Sequence, residues 1–357
     1  MLHTEVAPIN GNFTGKDIVS TAQFTRHDVE VVMGEAEEMA LMVTGEGRSK
    51  LLEDKLVANL FYEPSTRTFL SFEAAAKRLG ADTIATQGVE YSSISKGETL
   101  ADTVRTVERY ADIVTMRHSQ NGAAALAAAA IKKPFINGGD GVGEHPTQAL
   151  LDMFTIREEA NGMPQGLSVT MVGDLKNGRT VHSLARLLSL YGGRLNYVSP
   201  KELRMPQGLM GELTAAGMRQ YETTDLDEVL PETDVLYVTR IQKERFGDGQ
   251  EYERLKGSFS IDSNTMRRAK KEMLLMHPLP RLSEISPEVD EDPRAVYFDQ
   301  VENGMYVRMA LLALISGRSI SGDKASRAIG RRIETIMREP VILKACNQLQ
   351  TTNIAAS

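Results

Sequence analysis

The sequence predicts an α/β fold made of two doubly wound domains, each a mainly parallel sheet flanked by helices. Short apolar runs alternate with segments of helical periodicity through both halves of the chain, an order that is typical of parallel sheets. The length of 357 residues suits two domains, since each can then bury a core of its own. Residues 161–166, Asn-Gly-Met-Pro-Gln-Gly, give the clearest linker signal, and we place the domain boundary there.

The first half opens with a helix signal. Thr25, with Asp28 three positions later, resembles a capping box, and apolar residues then recur at helical spacing to about Val43. We therefore expect the fold to begin near Thr25, after an irregular arm over residues 1–20. The periodicities that follow predict strands over residues 56–62, 83–86, 113–116 and 135–137, and helices over residues 69–79, 99–110, 123–130 and 147–159.

The second half repeats the alternation of strand and helix. Strands are predicted over residues 167–172, 195–198, 219–222, 235–238 and 274–276, and helices over residues 180–191 and 301–316. Residues 323–338 form an amphipathic helical stretch, which we expect to pack on the body of the protein or on a neighbouring subunit. The predicted limits are 1–160 for the first domain, 161–300 for the second, 301–320 for a following helix and 321–357 for a C-terminal extension.

The composition and net charge of the chain argue against several classes of protein. The 48 acidic against 41 basic residues give a net charge of -7, which argues against a nucleic-acid binder but leaves room for a small anionic substrate. Cys346 is the single cysteine, so we expect no internal disulfide and a reducing cytoplasm. No segment reaches the roughly 18 apolar residues of a membrane span, and the N-terminus lacks a signal-peptide pattern. We expect a cytoplasmic chain without membrane or nucleic-acid partners.

A candidate anion site lies between the end of the first predicted strand and the start of the next helix. Ser65, Thr66 and Thr68 supply hydroxyl groups there, and Arg67 supplies a guanidinium group. The first turn of a helix also presents unpaired N–H groups and the positive end of its dipole. These residues predict phosphate binding. The alternative is an ordinary N-cap, because serine and threonine often cap helices and do nothing more.

Other candidates follow later strands of the first half. Arg117 follows the strand over residues 113–116, at the edge where open α/β sheets bind ligands. His145 and Gln148 stand three apart at the start of a helix, so both can face the same side of its first turn. Lys96 lies in a polar loop over residues 88–98. The alternatives are a capping or surface histidine and a solvated surface loop.

The second half offers similar strand-end candidates. The turn over residues 173–179 suggests a dinucleotide site, but it lacks the G-x-G-x-x-G spacing, so a Rossmann cofactor is not expected. Arg240 and Gln242 follow the strand over residues 235–238. In His277-Pro278-Leu279-Pro280 two prolines flank one residue, and such a rigid turn can aim backbone carbonyl groups.

Four of these clusters together resemble the carbamoyltransferase family: Ser65-Thr66-Arg67-Thr68, His145-Pro146-Thr147-Gln148, Arg240-Ile241-Gln242 and His277-Pro278-Leu279-Pro280. Within that family the sequence is similar to aspartate carbamoyltransferase catalytic chains, because residues 173–184 read Gly-Asp-Leu-Lys-Asn-Gly-Arg-Thr-Val-His-Ser-Leu and Pro278 stands where ornithine enzymes typically carry cysteine. The resemblance covers residues 15–320. It implies a carbamoyl phosphate-binding first domain, an aspartate-binding second domain and a C-terminal helix that returns to the first domain.

The resemblance also implies a reaction, in which the amine of L-aspartate attacks carbamoyl phosphate and gives N-carbamoyl-L-aspartate and phosphate in pyrimidine synthesis. It implies that the phosphate binds a cradle and that separate donors bind the carbonyl oxygen. The cradle is Ser65, Thr66, Arg67 and Thr68, and the carbonyl donors are Thr68, Arg117 and His145. Gln148 and the backbone carbonyls of Pro278 and Leu279 are expected to hold the carbamoyl NH₂ group, with a cis peptide bond before Pro280.

For the second substrate, the resemblance implies that Arg179 binds the α-carboxylate of aspartate and that Arg240 and Gln242 bind its β-carboxylate. Ser92 and Lys96 are expected to reach the active site of an adjacent subunit in a homotrimer. Domain closure is implied to use the ionic set Glu63, Arg179 and Arg245. No nucleophilic side chain is expected, because carbamoyl phosphate is already activated. The six histidines and the carboxylates show no metal-ligand spacing, so neither a metal nor a cofactor is expected.

One departure and several alternatives remain. Phe69 stands where many relatives carry a basic residue, which we interpret as a packing change. The competing functions are a carbamoyltransferase for another amino acid, such as ornithine or an acetylated derivative, and a non-catalytic relative that binds carbamoyl phosphate. Arg240 and Gln242 argue against a cationic acceptor. The sequence leaves open whether trimers stand alone, pair with regulatory chains or join a dihydroorotase.

Overall fold

The protein is known from a computed structural model that describes residues 6–88, 93–160, 162–241, 249–255, 257–320 and 322. Helices and strands alternate along the chain, as the sequence predicts for an α/β protein. The helices are α1 (Arg26–Gly45), α2 (Thr66–Arg78), α3 (Leu100–Val107), α4 (Ala123–Ala130), α5 (Pro146–Glu159), α6 (Arg179–Ser189), α7 (Gln207–Ala215), α8 (Gly249–Leu255), α9 (Ser263–Arg268) and α10 (Tyr297–Ile315). The strands are β1 (Leu56–Phe61), β2 (Asp82–Gln87), β3 (Ile113–His118), β4 (Phe135–Asp140), β5 (Ser168–Val172), β6 (Arg194–Val198), β7 (Arg219–Thr223), β8 (Val235–Val238) and β9 (Leu274–Met276).

The described strands form two parallel sheets. The first has the order β2-β1-β3-β4 and the second the order β7-β6-β5-β8-β9. In each sheet the central strands are almost entirely buried, which is why they read as apolar runs in the sequence. All strands of the first sheet precede residue 161 in the sequence, and all strands of the second sheet follow it. The fold of two doubly wound, mainly parallel sheets is therefore confirmed, whereas the three predicted boundaries after residues 160, 300 and 320 stay predictions.

The ends of the elements follow local chemistry. Thr25 caps α1, and the Asp28 carboxylate accepts in return from the Thr25 backbone N–H, which completes the predicted capping box. The long helix α10 packs against α1, α2 and α5 and so returns to the helices of the first sheet. The C-terminal extension lies outside the described residues except for Gly322. No described helix has the length and apolarity needed to cross a membrane.

The N-terminal arm, residues 1–20, differs from the prediction in one respect. Its described residues are irregular, as predicted, but the fold does not begin at Thr25. Ile9, Phe13 and Ile18 are buried in the core of the protein, and Ile18 forms a parallel bridge with Ile136 of β4. The sequence gives no signal for this packing because the segment has neither helical nor strand periodicity.

Candidate active site

Residues at the carboxyl ends of strands from both sheets surround one cavity of about 760 Å³. The contributing strands are β1, β3 and β4 of the first sheet and β5, β8 and β9 of the second. Ligands of open α/β sheets bind at this edge. Twelve of the residues singled out in the sequence line the cavity: Glu63, Ser65, Thr66, Arg67, Thr68, Arg117, His145, Gln148, Arg179, Arg240, Pro278 and Leu279.

Three helices begin at the cavity, namely α2, α5 and α6. Their N-cap residues are Ser65, His145 and Gly178. Glycine has no side chain, and neither the Ser65 nor the His145 side chain makes a capping bond within the described chain. Ser65 Oγ instead donates to Thr68 Oγ1 at 3.0 Å. First-turn N–H groups and the positive dipole ends of three helices therefore favour an anion in the cavity.

Arg117 is fixed at the end of β3 by contacts on two sides. Its guanidinium group forms an ion pair with Glu63 at 2.8 Å and donates to the Gly138 carbonyl at 3.2 Å. Gly139 leaves room for this side chain, since a Cβ there would lie 3.0 Å from Arg117 Nη1 and 3.1 Å from the Arg179 guanidinium carbon. Its φ of +115° also favours glycine. The glycine-rich turn thus lets two arginines approach each other.

His145 and Gln148 occupy the first turn of α5, as their spacing predicts. The His145 ring is buried, with Nε2 3.4 Å from Arg117 Nη1 and Nδ1 3.5 Å from Thr147 Oγ1. Burial lowers the pKa of His145 well below its usual value, and the nearby charges of Arg179 and Arg117 lower it further. The imidazole is therefore neutral at pH 7 and faces the cavity as a hydrogen-bonding group.

Two arginines that follow strands of the second sheet line the same cavity. Arg179 at the start of α6 pairs with Glu63 at 3.0 Å and donates to the Gly141 carbonyl at 2.5 Å. Arg240 follows β8 and lines the cavity beside Thr239. Glu63 therefore joins Arg117 of the first half to Arg179 of the second through one carboxylate oxygen.

The loop after β9 places backbone groups at the cavity. The peptide bond between Leu279 and Pro280 is cis, as expected, and Leu279 has a φ of +51°. His277 holds this loop, because its Nδ1 accepts from the Leu279 N–H at 2.8 Å while its Nε2 lies 2.9 Å from a Glu284 carboxylate oxygen. The Nδ1 atom is an acceptor, so the ring proton is on Nε2 and is donated to Glu284.

The described lining of the cavity is strongly cationic. It contains five arginines, and Glu63 is the one acidic residue among the lining residues that the structure describes. Burial lowers the pKa of Arg117 to about 9, and the charge of Arg179 adds to this effect. Burial and the charge of Arg240 likewise lower the pKa of Arg67. A bound dianion would relieve the mutual repulsion of these cations.

Four of the predicted residues are not part of the described lining. Lys96 ends a short 3₁₀ helix and is exposed, and it is not among the described residues that line this cavity. Ser92, Gln242 and Arg245 lie outside the described residues. Phe69 packs edge-on against Phe61 with ring centroids 5.3 Å apart, which fits its interpretation as a packing change.

Several residues at the site were not singled out as site residues. Arg308 of α10 lines the cavity, lies 5.2 Å from the centroid of the Phe72 ring and donates to Thr147 Oγ1 at 3.3 Å. Asp152 is fully buried beneath Gln148 and Gln300. No group of three or more His, Cys, Asp or Glu side chains suited to a metal ion occurs among the described residues.

Comparison with known proteins assigns both halves to one family. Residues 16–158 match "Aspartate/ornithine carbamoyltransferase, carbamoyl-P binding domain". Residues 165–315 match "Aspartate/ornithine carbamoyltransferase, Asp/Orn binding domain". Together the two matches cover most of the chain.

Individual relatives support the same family assignment. The chain is 54% identical over 311 residues to "Multifunctional protein pyr1-3" of Dictyostelium discoideum, a match that covers 87% of this chain but 14% of that protein. It is 50% identical over 307 residues to "Aspartate carbamoyltransferase catalytic subunit" of Methanopyrus kandleri, covering 86% of this chain and 99% of that one. The chain thus spans about one seventh of the multifunctional relative and nearly the whole catalytic subunit.

Among solved structures, the fold is similar to aspartate transcarbamoylase from Trypanosoma cruzi in complex with carbamoyl phosphate and aspartate. The TM-score is 0.80 at 42% sequence identity, over 86% of this chain and 98% of that chain. Two family matches and relatives at or above 50% identity agree with the two-sheet fold and with a cavity built for anions. The chain belongs to the aspartate/ornithine carbamoyltransferase family.

Proposed function

We propose that the chain transfers the carbamoyl group of carbamoyl phosphate to L-aspartate, giving N-carbamoyl-L-aspartate and phosphate for pyrimidine biosynthesis. The observation that carries this function is one cavity with anion-binding groups from both halves of the chain. Hydroxyl groups and Arg67 of α2 face it from one side, and Arg179 and Arg240 face it from the other. Carbamoyl phosphate and aspartate are both anions, and they have to meet in one place to react.

Carbamoyl phosphate takes the part of the cavity at the start of α2. Ser65, Thr66, Arg67 and Thr68 bind its phosphate, with the first-turn N–H groups of α2 beside them. Thr68, Arg117 and His145 donate to its carbonyl oxygen. Gln148 and the backbone carbonyls of Pro278 and Leu279 accept from its NH₂ group.

The reaction needs no protein nucleophile. The aspartate amine attacks the carbonyl carbon, the carbonyl oxygen becomes negative, and the bond from carbon to the phosphate oxygen then breaks. The amine proton passes to the departing phosphate. Removal of one such donor from an oxyanion hole raises the activation free energy by about 2.7 to 4 kcal/mol in other enzymes. We expect a contribution of this size from each donor to the developing oxyanion. A neutral His145 suits this role, because its ring can donate a hydrogen bond without taking up the proton.

Aspartate binds through its two carboxylates. Arg179 takes the α-carboxylate, and Arg240, together with Gln242, takes the β-carboxylate. The five arginines of the lining disfavour a cationic side chain such as that of ornithine, because like charges in a partly buried site repel. The geometry therefore favours the aspartate reaction over transfer to ornithine.

The assembly we propose is a cytoplasmic homotrimer in which active sites are shared between subunits. Lys96 is exposed and lies outside the described lining of its own cavity, which supports its use, with Ser92, in a neighbouring site. Glu63 and Arg245 stabilise closure of the two domains. A regulatory chain and a dihydroorotase are the further partners that the resemblance leaves open.

The experiment that tests the function is a product assay with labelled carbamoyl phosphate and equimolar L-aspartate, L-ornithine or N-acetyl-L-ornithine. We expect N-carbamoyl-L-aspartate as the main product. Citrulline or its acetylated form as the main product would overturn the choice of acceptor. Absence of all three products from a folded chain that still binds carbamoyl phosphate would support a non-catalytic relative instead.

A further inference from the structure

Asp152 is fully buried one helical turn beyond Gln148 on α5, and its carboxylate accepts three hydrogen bonds. Oδ1 accepts from Gln148 Nε2 at 2.8 Å and from Gln300 Nε2 at 2.6 Å. Oδ2 accepts from the Tyr237 hydroxyl at 2.8 Å. The three donors come from α5, α10 and β8, so one carboxylate connects elements of both halves beneath the cavity.

The Gln300 amide is held by two contacts, one of which is its hydrogen bond to Asp152. Its Oε1 accepts from the backbone N–H of His277 at 3.0 Å, and a backbone N–H can only donate. The Nε2 end of Gln300 therefore faces Asp152 Oδ1. His277 is also the residue that holds the Leu279 N–H. The carboxylate is thus linked to the loop that carries the carbonyl groups of Pro278 and Leu279.

The same oxygen fixes the orientation of the Gln148 amide. Because Oδ1 receives two N–H donors, a proton on this carboxyl group belongs on Oδ2, where the Tyr237 oxygen can accept it. Gln148 therefore turns Nε2 toward Asp152 in either protonation state, and Oε1 remains for the cavity that Gln148 lines. An acceptor at that place matches a ligand NH₂ group, which only donates.

We propose that Asp152 is a positioning residue that orients acceptors in both walls of the carbamoyl subsite, through Gln148 directly and through Gln300 to the loop after β9. This inference rests on the proposed function, because it takes carbamoyl phosphate as the donor substrate. Its consequence is donor selectivity. Acetyl phosphate has the same phosphate and carbonyl groups but carries CH₃ in place of NH₂, so oriented acceptors give it no hydrogen bond.

The test compares kcat/KM for carbamoyl phosphate and acetyl phosphate, each with saturating L-aspartate, in the full chain. Asp152→Leu frees the Gln148 amide, and we expect the ratio of carbamoyl to acetyl transfer to fall by about tenfold. Gln148→Leu removes the Gln148 acceptor itself and should also lower the ratio. Asp152→Asn keeps an oxygen for the two glutamine amides and turns its amide toward Tyr237, so it should restore most of the ratio.

Tyr237→Phe is the matched control. It removes the bond to Oδ2 and also costs stability, but it leaves both bonds to Oδ1, so the ratio should stay at the wild-type value. Where Asp152→Leu folds poorly, the double variant with Tyr237→Phe replaces two hydrogen-bond partners by apolar groups of similar shape, which lowers the cost of unpaired groups. That double variant should show the same fall in ratio.

A proportional loss of both activities in Asp152→Leu, with the ratio unchanged, would overturn the proposal and leave Asp152 a purely structural residue. An equal fall in ratio for Tyr237→Phe would overturn it as well. The proposed function fails in a different way, since the wild-type chain would then show no carbamoyl transfer to aspartate at all. In the combined Asp152→Leu and Gln148→Leu variant the ratio should fall by less than the product of the two single falls, because Asp152 acts in part through Gln148.

Discussion

Glu63 and Arg179 form an ion pair at 3.0 Å although they stand 116 positions apart and belong to the two halves of the chain. The same carboxylate oxygen lies 2.8 Å from Arg117. Both guanidinium groups are largely buried, with 9% and 12% of their side-chain surface exposed. One carboxylate is therefore the shared counter-ion of two buried cations, one from each half of the chain.

Glu63→Gln tests this shared counter-ion. Removing the charge leaves Arg117 and Arg179 to repel each other, so we expect the KM for aspartate to rise by about tenfold or more. Carbamoyl phosphate binding should weaken less, because the hydroxyl groups of α2 are unaffected. Steady-state kinetics with each substrate varied in turn gives both constants.

The control is Glu212→Gln, which removes one of the two carboxylate partners of Arg186, in a half-exposed ion pair. Such pairs contribute about 0 to 1 kcal/mol, so its kinetic constants should match those of the wild type. Wild-type kinetics in Glu63→Gln would remove the proposed role of this carboxylate.

Arg240→Ala tests the choice of acceptor. The KM for aspartate should rise by about 100-fold or more, because a charge-assisted pair with the β-carboxylate is lost. Binding of carbamoyl phosphate to the free enzyme, measured by calorimetry, should stay within about twofold of the wild type. Arg254→Ala, which affects an exposed pair with Glu202, is the matched control. Equal weakening of both substrates would contradict the assignment.

Much of this site was predictable because each cluster is local in sequence. Ser65 to Thr68, Arg117 and Arg240 all follow apolar runs, and the carboxyl ends of parallel strands meet at one edge. The capping box at Thr25 and the strands β8 and β9 have the predicted positions. Strong local patterns were therefore enough for the fold class and for the cavity.

The network beneath the cavity was not predictable, because it depends on contacts between distant residues. Asp152 and Gln300 are 148 positions apart, and nothing near either residue indicates a partner. The predicted start of α10 at Val301 was wrong, because the helix already begins at Tyr297 and includes the polar Gln300. A buried amide that is satisfied by tertiary hydrogen bonds reads as a polar surface residue in the sequence.

The neutral state of His145 gives a pH dependence of stability. Its folded pKa is depressed, so between that value and about 6.5 the unfolded chain binds a proton that the folded chain excludes. The free energy of unfolding is therefore not reduced by His145 above about pH 7. Below that pH it falls, by at most about 1.4 kcal/mol for each pH unit. Burial also lowers the pKa of His182 and His277, so both add to the same trend.

His145→Asn isolates the contribution of one ring. Urea unfolding at pH 7.5, 6.5 and 5.5 should show the wild type losing stability relative to the variant as the pH falls. His27→Asn changes an exposed histidine on α1 and serves as the control for loss of a ring outside the cavity. A difference between wild type and His145→Asn that stays constant over this range would contradict a neutral His145.

The shared active site is tested by mixing inactive chains. In a closed trimer each site would take Arg67 from one chain and Lys96 from the next, so Arg67→Ala and Lys96→Ala chains should each be nearly inactive alone. Random reassembly of equal amounts gives about six mixed trimers in eight, each with one intact site in three, so activity should return to about a quarter of the wild-type value.

The restored sites should have the wild-type KM, since both of their functional groups are intact. Each variant is carried alone through the same dissociation and reassembly as a control. Lack of rescue, or a Lys96→Ala chain that is active by itself, would mean that Lys96 does not complete a neighbouring site.

The central claim is that one cavity holds the carbamoyl donor at α2 and aspartate at Arg179 and Arg240. Calorimetric titration with a compound that joins a phosphonate to aspartate tests it most directly, because such a ligand reaches both sites at once. We predict a Kd at least about 100-fold lower than that of phosphonoacetate or aspartate alone. A Kd no lower than that of the phosphonate half would show that the two sites are not joined, and would contradict the claim.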